Sequence, residues 1–305
     1  MNTLIFDIHR ATTSDGEGLR TTVFLKGCPL KCRWCHNPES ISFKNRLEWD
    51  SKKCIGCKSC ENKCIYFNEK GLHIEHKDIE VDAFDEDICP TGALKKIARH
   101  YEINEISKKL LKDKSFYEEF NGGITISGGE AMANFDYTLA LLKEMKDNGI
   151  HTALDTCGYA SSSNYMEVLP YTDLILYDLK LFDDEAHKYY TGVSNKIILE
   201  NIKMLAGSIK NDQKIWIRTP LIPGATATID NISKIGEFIS QNILEKIERW
   251  ELCAFNNLCS QKYEKLDMEW EYKDEELMQG EYATKLKDEA VKYVGDKVIL
   301  SGFTS

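Results

Sequence analysis

Three cysteines, Cys28, Cys32 and Cys35, stand in the segment Gly27-Cys28-Pro29-Leu30-Lys31-Cys32-Arg33-Trp34-Cys35-His36, at the spacing C-x3-C-x2-C. Three thiolates this close can hold three irons of a cubane [4Fe–4S] cluster and leave the fourth iron open, unlike the four-cysteine sites that close a cluster. An open iron can chelate the amino and carboxylate groups of a methionine moiety. One electron from the cluster would then break the neighbouring S–C5′ bond and release an adenosyl radical. A zinc site built from the three cysteines and His36 is the competing arrangement, although zinc modules usually pair C-x2-C knuckles. Trp34 adds an aromatic ring where one can contact an adenine.

A second group follows. Cys54-x2-Cys57-x2-Cys60-x3-Cys64 has a bacterial ferredoxin spacing, and Cys89-Pro90 resembles the end of a second ferredoxin motif. In two-cluster ferredoxins the fourth cysteine of each run ligates the other cluster. That rule assigns Cys54, Cys57, Cys60 and Cys89 to one cluster and leaves Cys64 spare. A second auxiliary cluster would need cysteines where the chain has Ile79, Asp82 and Asp85, and Cys64 is followed by Ile65 rather than proline. One auxiliary cluster is therefore expected, with a local Cys54/Cys57/Cys60/Cys64 site as the alternative. A closed cluster suits electron relay or structural support. Cys157, Cys253 and Cys259 read as buried structural thiols.

Composition narrows the setting. Eight of the eleven cysteines lie between residues 28 and 89, and an odd total fits complete disulfide pairing badly. A net charge of −10 over 305 residues argues against non-specific nucleic-acid binding. The N-terminal stretch does not read as a signal peptide, and no apolar run is long enough to cross a bilayer. The cytoplasm is the expected compartment.

The elements that must position these groups alternate. Strands are expected at 21–26, 124–127, 151–156, 173–178, 214–219 and 249–255, with 297–300 as one more. Helical patterns occupy 104–119, 136–147, 196–206 and 230–241. Regular βα alternation predicts parallel strands with helices outside, here a partial (β/α)6 TIM-like barrel. Residues 1–48 and 97–305 would form it discontinuously. Residues 49–96 would be a ferredoxin-like insertion whose core is inorganic rather than hydrophobic. In such barrels the active site gathers at the C-terminal strand ends. Gly128-Gly129-Glu130, Asp155-Thr156, Asp178, Arg218 and Asn256 sit at those ends.

With these residues the chain resembles the radical S-adenosylmethionine superfamily, and within it the activating enzymes of glycyl radical enzymes. The resemblance starts at Asp15-Gly16-Glu17-Gly18-Leu19-Arg20-Thr21 and runs through the cysteine tripod and Ser127-Gly128-Gly129-Glu130. It continues through Asp155-Thr156-Cys157-Gly158, Asp178-Leu179-Lys180, Thr191-Gly192-Val193-Ser194-Asn195, Arg218 and Phe255-Asn256. It implies that Gly128 and Gly129 meet the methionyl amine, with Glu130 supporting the turn. Asp178, Leu179 and Lys180 would contact ribose and carboxylate, with Arg218 as a further cationic partner and Asn256 near the sixth strand end. His36 is carried with Cys35 as a cofactor contact. Asp155 and Asp178 match the two acids that hold a monovalent cation in some relatives. Asp15 would face a bound glycine peptide, although Asp before Gly is equally ordinary turn chemistry.

The implied activity is reductive cleavage of S-adenosylmethionine to methionine and a 5′-deoxyadenosyl radical, which abstracts a glycine Cα hydrogen from a partner glycyl radical enzyme. Flavodoxin or ferredoxin would supply the electron, the enzyme would act as a monomer, and no side chain need act as acid, base or nucleophile. The alternatives are a radical enzyme with another substrate and a two-cluster electron-transfer subunit.

Overall fold

The computed structural model describes residues 1–303 apart from 70 and 78. Strands β1 (Asn2–Thr12) and β2 (Arg20–Leu25) form an antiparallel pair. After the cysteine loop come four short strands, β3 (Leu47–Trp49), β4 (Ile65–Asn68), β5 (Gly71–Ile74) and β6 (Leu94–Lys96). Strand β7 (Arg99–Glu102) then returns to pair with β1. Six further strands follow: β8 (Gly123–Gly128), β9 (His151–Thr156), β10 (Leu174–Asp178), β11 (Lys214–Leu221), β12 (Arg249–Ala254) and β13 (Val298–Ser301). The main sheet has the order β13-β12-β11-β10-β9-β8-β2-β1-β7. From β2 through β13 every pairing is parallel, and among the described residues β13 does not close onto β2. This is an open barrel, as the βα alternation predicts.

Parallel strands covered on both faces read as near-continuous apolar runs, and β10 shows why. Leu174 and Leu176 point inward to a small plug with Ala153 and Trp216. Ile175 and Tyr177 point outward into the core under the helices. Helices α1 (Ile103–Leu111), α2 (Lys114–Glu119), α3 (Phe135–Asp147), α4 (Ser162–Val168), α5 (Asp184–Thr191), α6 (Lys196–Ser208), α7 (Ile229–Asn242), α8 (Ser260–Lys265) and α9 (Gly280–Val294) complete the chain. Ser161, Asp183 and Thr228 cap α4, α5 and α7 with side-chain oxygens, satisfying amides that a helix start leaves unpaired.

Two expectations change. The helix expected over 104–119 is broken between α1 and α2, where Asp113 turns inward and accepts from Arg10 Nε at 2.7 Å. The stretch around the auxiliary cysteines also has an apolar core of its own. Leu47, Ile65, Leu72, Ile74, Val81 and Leu94 pack together with Cys60, because β3–β6 and β4–β5 are antiparallel ribbons whose alternate residues face one another. Among the described residues no helix is long and apolar enough to cross a membrane.

Candidate active site

A cleft of about 730 Å³ opens at the C-terminal ends of the barrel strands. It brings together Cys28, Cys32, Trp34, Cys35 and His36 from the loop after β2, and Gly128 and Gly129 from the end of β8 and its turn. Asp155, Asp178, Lys180, Arg218 and Asn256 complete the set expected from sequence. Glu130, Leu179 and Asp15 do not line it. Leu179 is buried in the core. The Asp15 carboxylate accepts from Thr22 Oγ1 at 2.8 Å, while its neighbours Ser14 and Gly16 border the cleft.

The cysteine loop has no regular structure, so its shape is fixed from outside. Lys31 N donates to Thr191 O at 2.7 Å and Arg33 N to Tyr190 O at 3.1 Å. Tyr263 Oη donates to Cys35 O at 2.8 Å, and Trp270 Nε1 to Arg33 O at 3.2 Å. Gly192 ends α5 in the left-handed conformation, φ 85°, which lets the Thr191 carbonyl face the loop. His36 packs edge-on between Phe255 and Trp270 and hydrogen-bonds the Asn256 backbone. Burial pushes the Cys28 thiol up to about 12 and raises Cys32 and Cys35 as well. Binding iron must therefore release those protons.

Bare backbone is required where β8 meets the loop. Gly128 has φ 122°, and a Cβ there would lie 2.1 Å from Leu25 O. A Cβ on Gly129 would lie 2.4 Å from Gly27 O and 3.0 Å from Cys28 Cβ. Glu130 works behind this turn. Its buried carboxylate accepts from Met132 N at 2.9 Å, Thr156 Oγ1 at 2.7 Å and Cys157 N at 2.7 Å. The last two bonds tie the ends of β8 and β9 together, and the first caps the turn that follows Glu130.

A layer of charge forms the cleft floor above the apolar plug. Asp155 accepts from Ser127 Oγ at 2.6 Å and lies 3.4 Å from Arg218 Nη1. Arg218 Nε is 3.7 Å from Glu251 and, among the described residues, within hydrogen-bond distance of no acceptor. Lys180 pairs with Asp178. Burial raises Asp155, while the neighbouring acids hold Arg218 and Lys180 above their ordinary values despite burial. Ser127 stands in the motif read from sequence, whereas Trp216, Arg249 and Glu251 were missed. The period-two alternation Trp216/Arg218/Pro220 and Arg249/Glu251/Cys253 signals them, since alternate strand residues share a face.

The donor set fits an iron–sulfur cluster and a zwitterionic cofactor: three half-buried thiols on the cleft wall, a glycine turn with no room for side chains, and a guanidinium and an ammonium among carboxylates. Among the described residues no three His, Cys, Asp or Glu side chains converge as ligands of one ion; a cubane is held at separate corners.

The 4Fe-4S single cluster domain family matches residues 14–199, more than half of the chain. The chain is 37% identical over 278 residues to the trans-4-hydroxy-L-proline dehydratase activating enzyme of Clostridioides difficile, covering 89% of this chain and 90% of the relative. It is 38% identical over 279 residues to the 4-hydroxyphenylacetate decarboxylase activating enzyme of Clostridium scatologenes, covering 88% of each. The chain belongs to the glycyl radical enzyme activating enzymes. Its fold is shared with a radical SAM methyltransferase from Sphaerobacter thermophilus, with TM-score 0.55 at 10% identity over 94% of this chain and 67% of that one.

This activating enzyme has a second gathering of thiols. Cys54, Cys57, Cys60 and Cys89 line one small hollow with Trp49 and Phe67. Cys64 is not in that lining; it is buried, with its amide donating to Asn62 Oδ1 at 2.8 Å and its carbonyl accepting from Glu75 N at 2.8 Å. Leu94 N donates to Cys89 Sγ at 3.4 Å, and hydrogen bonds of this kind hold the Cys89 thiol below its ordinary value despite its partial burial.

Proposed function

We propose that the enzyme installs a glycyl radical on a dehydratase- or decarboxylase-type partner, with Cys28, Cys32 and Cys35 holding the open cluster. Cys54, Cys57, Cys60 and Cys89 hold one closed auxiliary cluster. The observation that carries this reading is the single cleft in which three thiols face the polar strand ends. When bound, the reduced cluster supplies one electron to S-adenosylmethionine, giving methionine and a 5′-deoxyadenosyl radical that takes the partner's glycine Cα hydrogen.

The chain's own residues bind, orient and shield. Gly128 and Gly129 offer unobstructed backbone to the methionyl amine. Arg218 is a further cationic partner of the cofactor, and Asp178, Leu179 and Lys180 form the ribose and carboxylate station. Trp34 and His36 border the adenine side, with Asn256 beside them. Asp155 and Asp178 hold a monovalent cation. Glu130 acts through the turn, and Asp15 through the loop that borders the incoming peptide. None of them needs to exchange a proton, because the cofactor carries the difficult step.

The radical chemistry belongs to residues 1–48 and 97–305 and the auxiliary cluster to residues 49–96. Flavodoxin or ferredoxin is the reductant, and the enzyme works as a cytoplasmic monomer. The two named relatives differ by one point of identity, so both partner types belong in the test. The reduced enzyme, S-adenosylmethionine and each candidate partner are incubated anaerobically and examined by electron paramagnetic resonance. A glycine-centred doublet is the expected result. 5′-Deoxyadenosine formation without a doublet on any candidate would overturn the glycyl assignment.

A further inference from the structure

The mouth of the auxiliary thiol hollow is polarised. On one rim, residues 51–63 carry Lys52, Lys53, Lys58 and Lys63 against one acid, Glu61. All four lysines are exposed, and among the described residues none of their ammonium groups makes an ion pair. Lys58 itself borders the hollow, in the left-handed conformation at φ 62°, a costly backbone for a lysine. The segment that leads into Ile88 and Cys89 forms a second, acidic rim, with Asp85 and Asp87 exposed and Glu86 paired to Arg99 at 3.6 Å. Between the rims Ile55 is 68% exposed and Ile88 38% exposed, and Cys57 is open to solvent.

The rim collects positive charge although the chain as a whole carries −10. Solvated lysines on a generic surface usually alternate with acids, as in the i,i+4 pairs of Lys109, Lys234 and Lys285. Here one sign is collected beside exposed apolar side chains and an exposed thiol. Complementary charge steers and orients an encounter, while a small apolar centre holds it. The tripod thiols, by contrast, lie in the cleft that S-adenosylmethionine and the glycine peptide must share.

We infer that the lysine rim at residues 52–63 docks an acidic one-electron carrier protein, so that the auxiliary thiols are the point of electron entry. The inference rests on the auxiliary-cluster reading above. One electron leaves the reduced carrier, which departs oxidised by one electron; no bond is made and no proton is needed. The acidic rim repels the same carrier and fixes which way round it lands.

The test uses iron-loaded enzyme and purified flavodoxin as the probe, under anaerobic conditions. Affinity is measured by calorimetry at low and at physiological salt, for the wild type, the triple variant K52E/K53E/K63E and the acidic-rim variant D85K/D87K. Iron content is determined for each. Binding should weaken with salt, fall by about tenfold or more in the lysine variant, and hold or tighten in D85K/D87K. Transfer of one electron from flavodoxin hydroquinone, followed by stopped-flow absorbance, should slow in parallel. Salt-insensitive binding, no binding, or equal binding by the lysine variant would overturn the docking face. So would a loss confined to glycyl radical yield, which would mark the rim as a contact for the partner enzyme. If wild-type iron corresponds to one cluster only, the auxiliary-cluster reading fails instead.

Discussion

The two sets of thiols use the same ligand chemistry in opposite settings. The tripod sits on a loop that α5, α8 and the segment around Trp270 grip through backbone carbonyls, inside a cleft of about 730 Å³. The auxiliary thiols sit on surface loops over a core of six buried apolar residues, and Cys57 is exposed. A site that must keep an open coordination position needs enforced geometry and excluded water. A site whose four positions are all filled by protein needs neither, and exposure shortens the path for an incoming electron. On the proposed assignment, the contrast is that between a reaction chamber and a point of access.

The largest effect should come from the tripod. Cys32→Ala should abolish 5′-deoxyadenosine formation, measured by chromatography after dithionite reduction. Next is the auxiliary site. Cys89→Ser should remove about four irons per chain, whereas Cys64→Ser should leave the iron content unchanged; the reverse pattern would exchange their roles. Glu130→Gln should lower stability by about 2–4 kcal/mol, read by denaturant unfolding. The amide nitrogen would face donors now satisfied by a buried carboxylate.

Tyr263→Phe removes one hydroxyl from the Cys35 carbonyl and should cost about 1 kcal/mol. Its further readout is a changed electron paramagnetic resonance signal of the tripod cluster, with the auxiliary signal unmoved. The smallest effect is a pH dependence on the auxiliary side. Burial lowers His76 from 6.5 to about 4. Between those values the unfolded chain binds the extra proton, so stability falls as pH drops through that window, by at most about 1.4 kcal/mol per unit. Thermal melts of His76→Gln should show a flatter acid limb.

Much of this contrast was legible in the chain. The strand His151–Thr156 falls where its sequence places it, because apolar residues flanked by turn signals leave little choice. Other parts were not. Strand β1 carries Asp7, His9 and Arg10, polar residues that suit a hairpin outside the barrel and break any apolar pattern. Helix α9 buries Ala283, Leu286, Ala290 and Val294, too small an apolar stripe to stand out among its charges. Tyr263 and Trp270 are far from the tripod in sequence, and only the fold brings their donors to it. The apolar core under the auxiliary thiols was hidden because its residues come from ribbons three or four residues long.

The most direct measurement is the yield of 5′-deoxyadenosine when the reconstituted wild-type enzyme is reduced anaerobically with dithionite and given S-adenosylmethionine. 5′-Deoxyadenosine and methionine are expected in equal amounts, retained by the Cys89→Ser enzyme and lost in Cys32→Ala. Fully loaded, reduced enzyme that leaves S-adenosylmethionine intact would contradict that expectation.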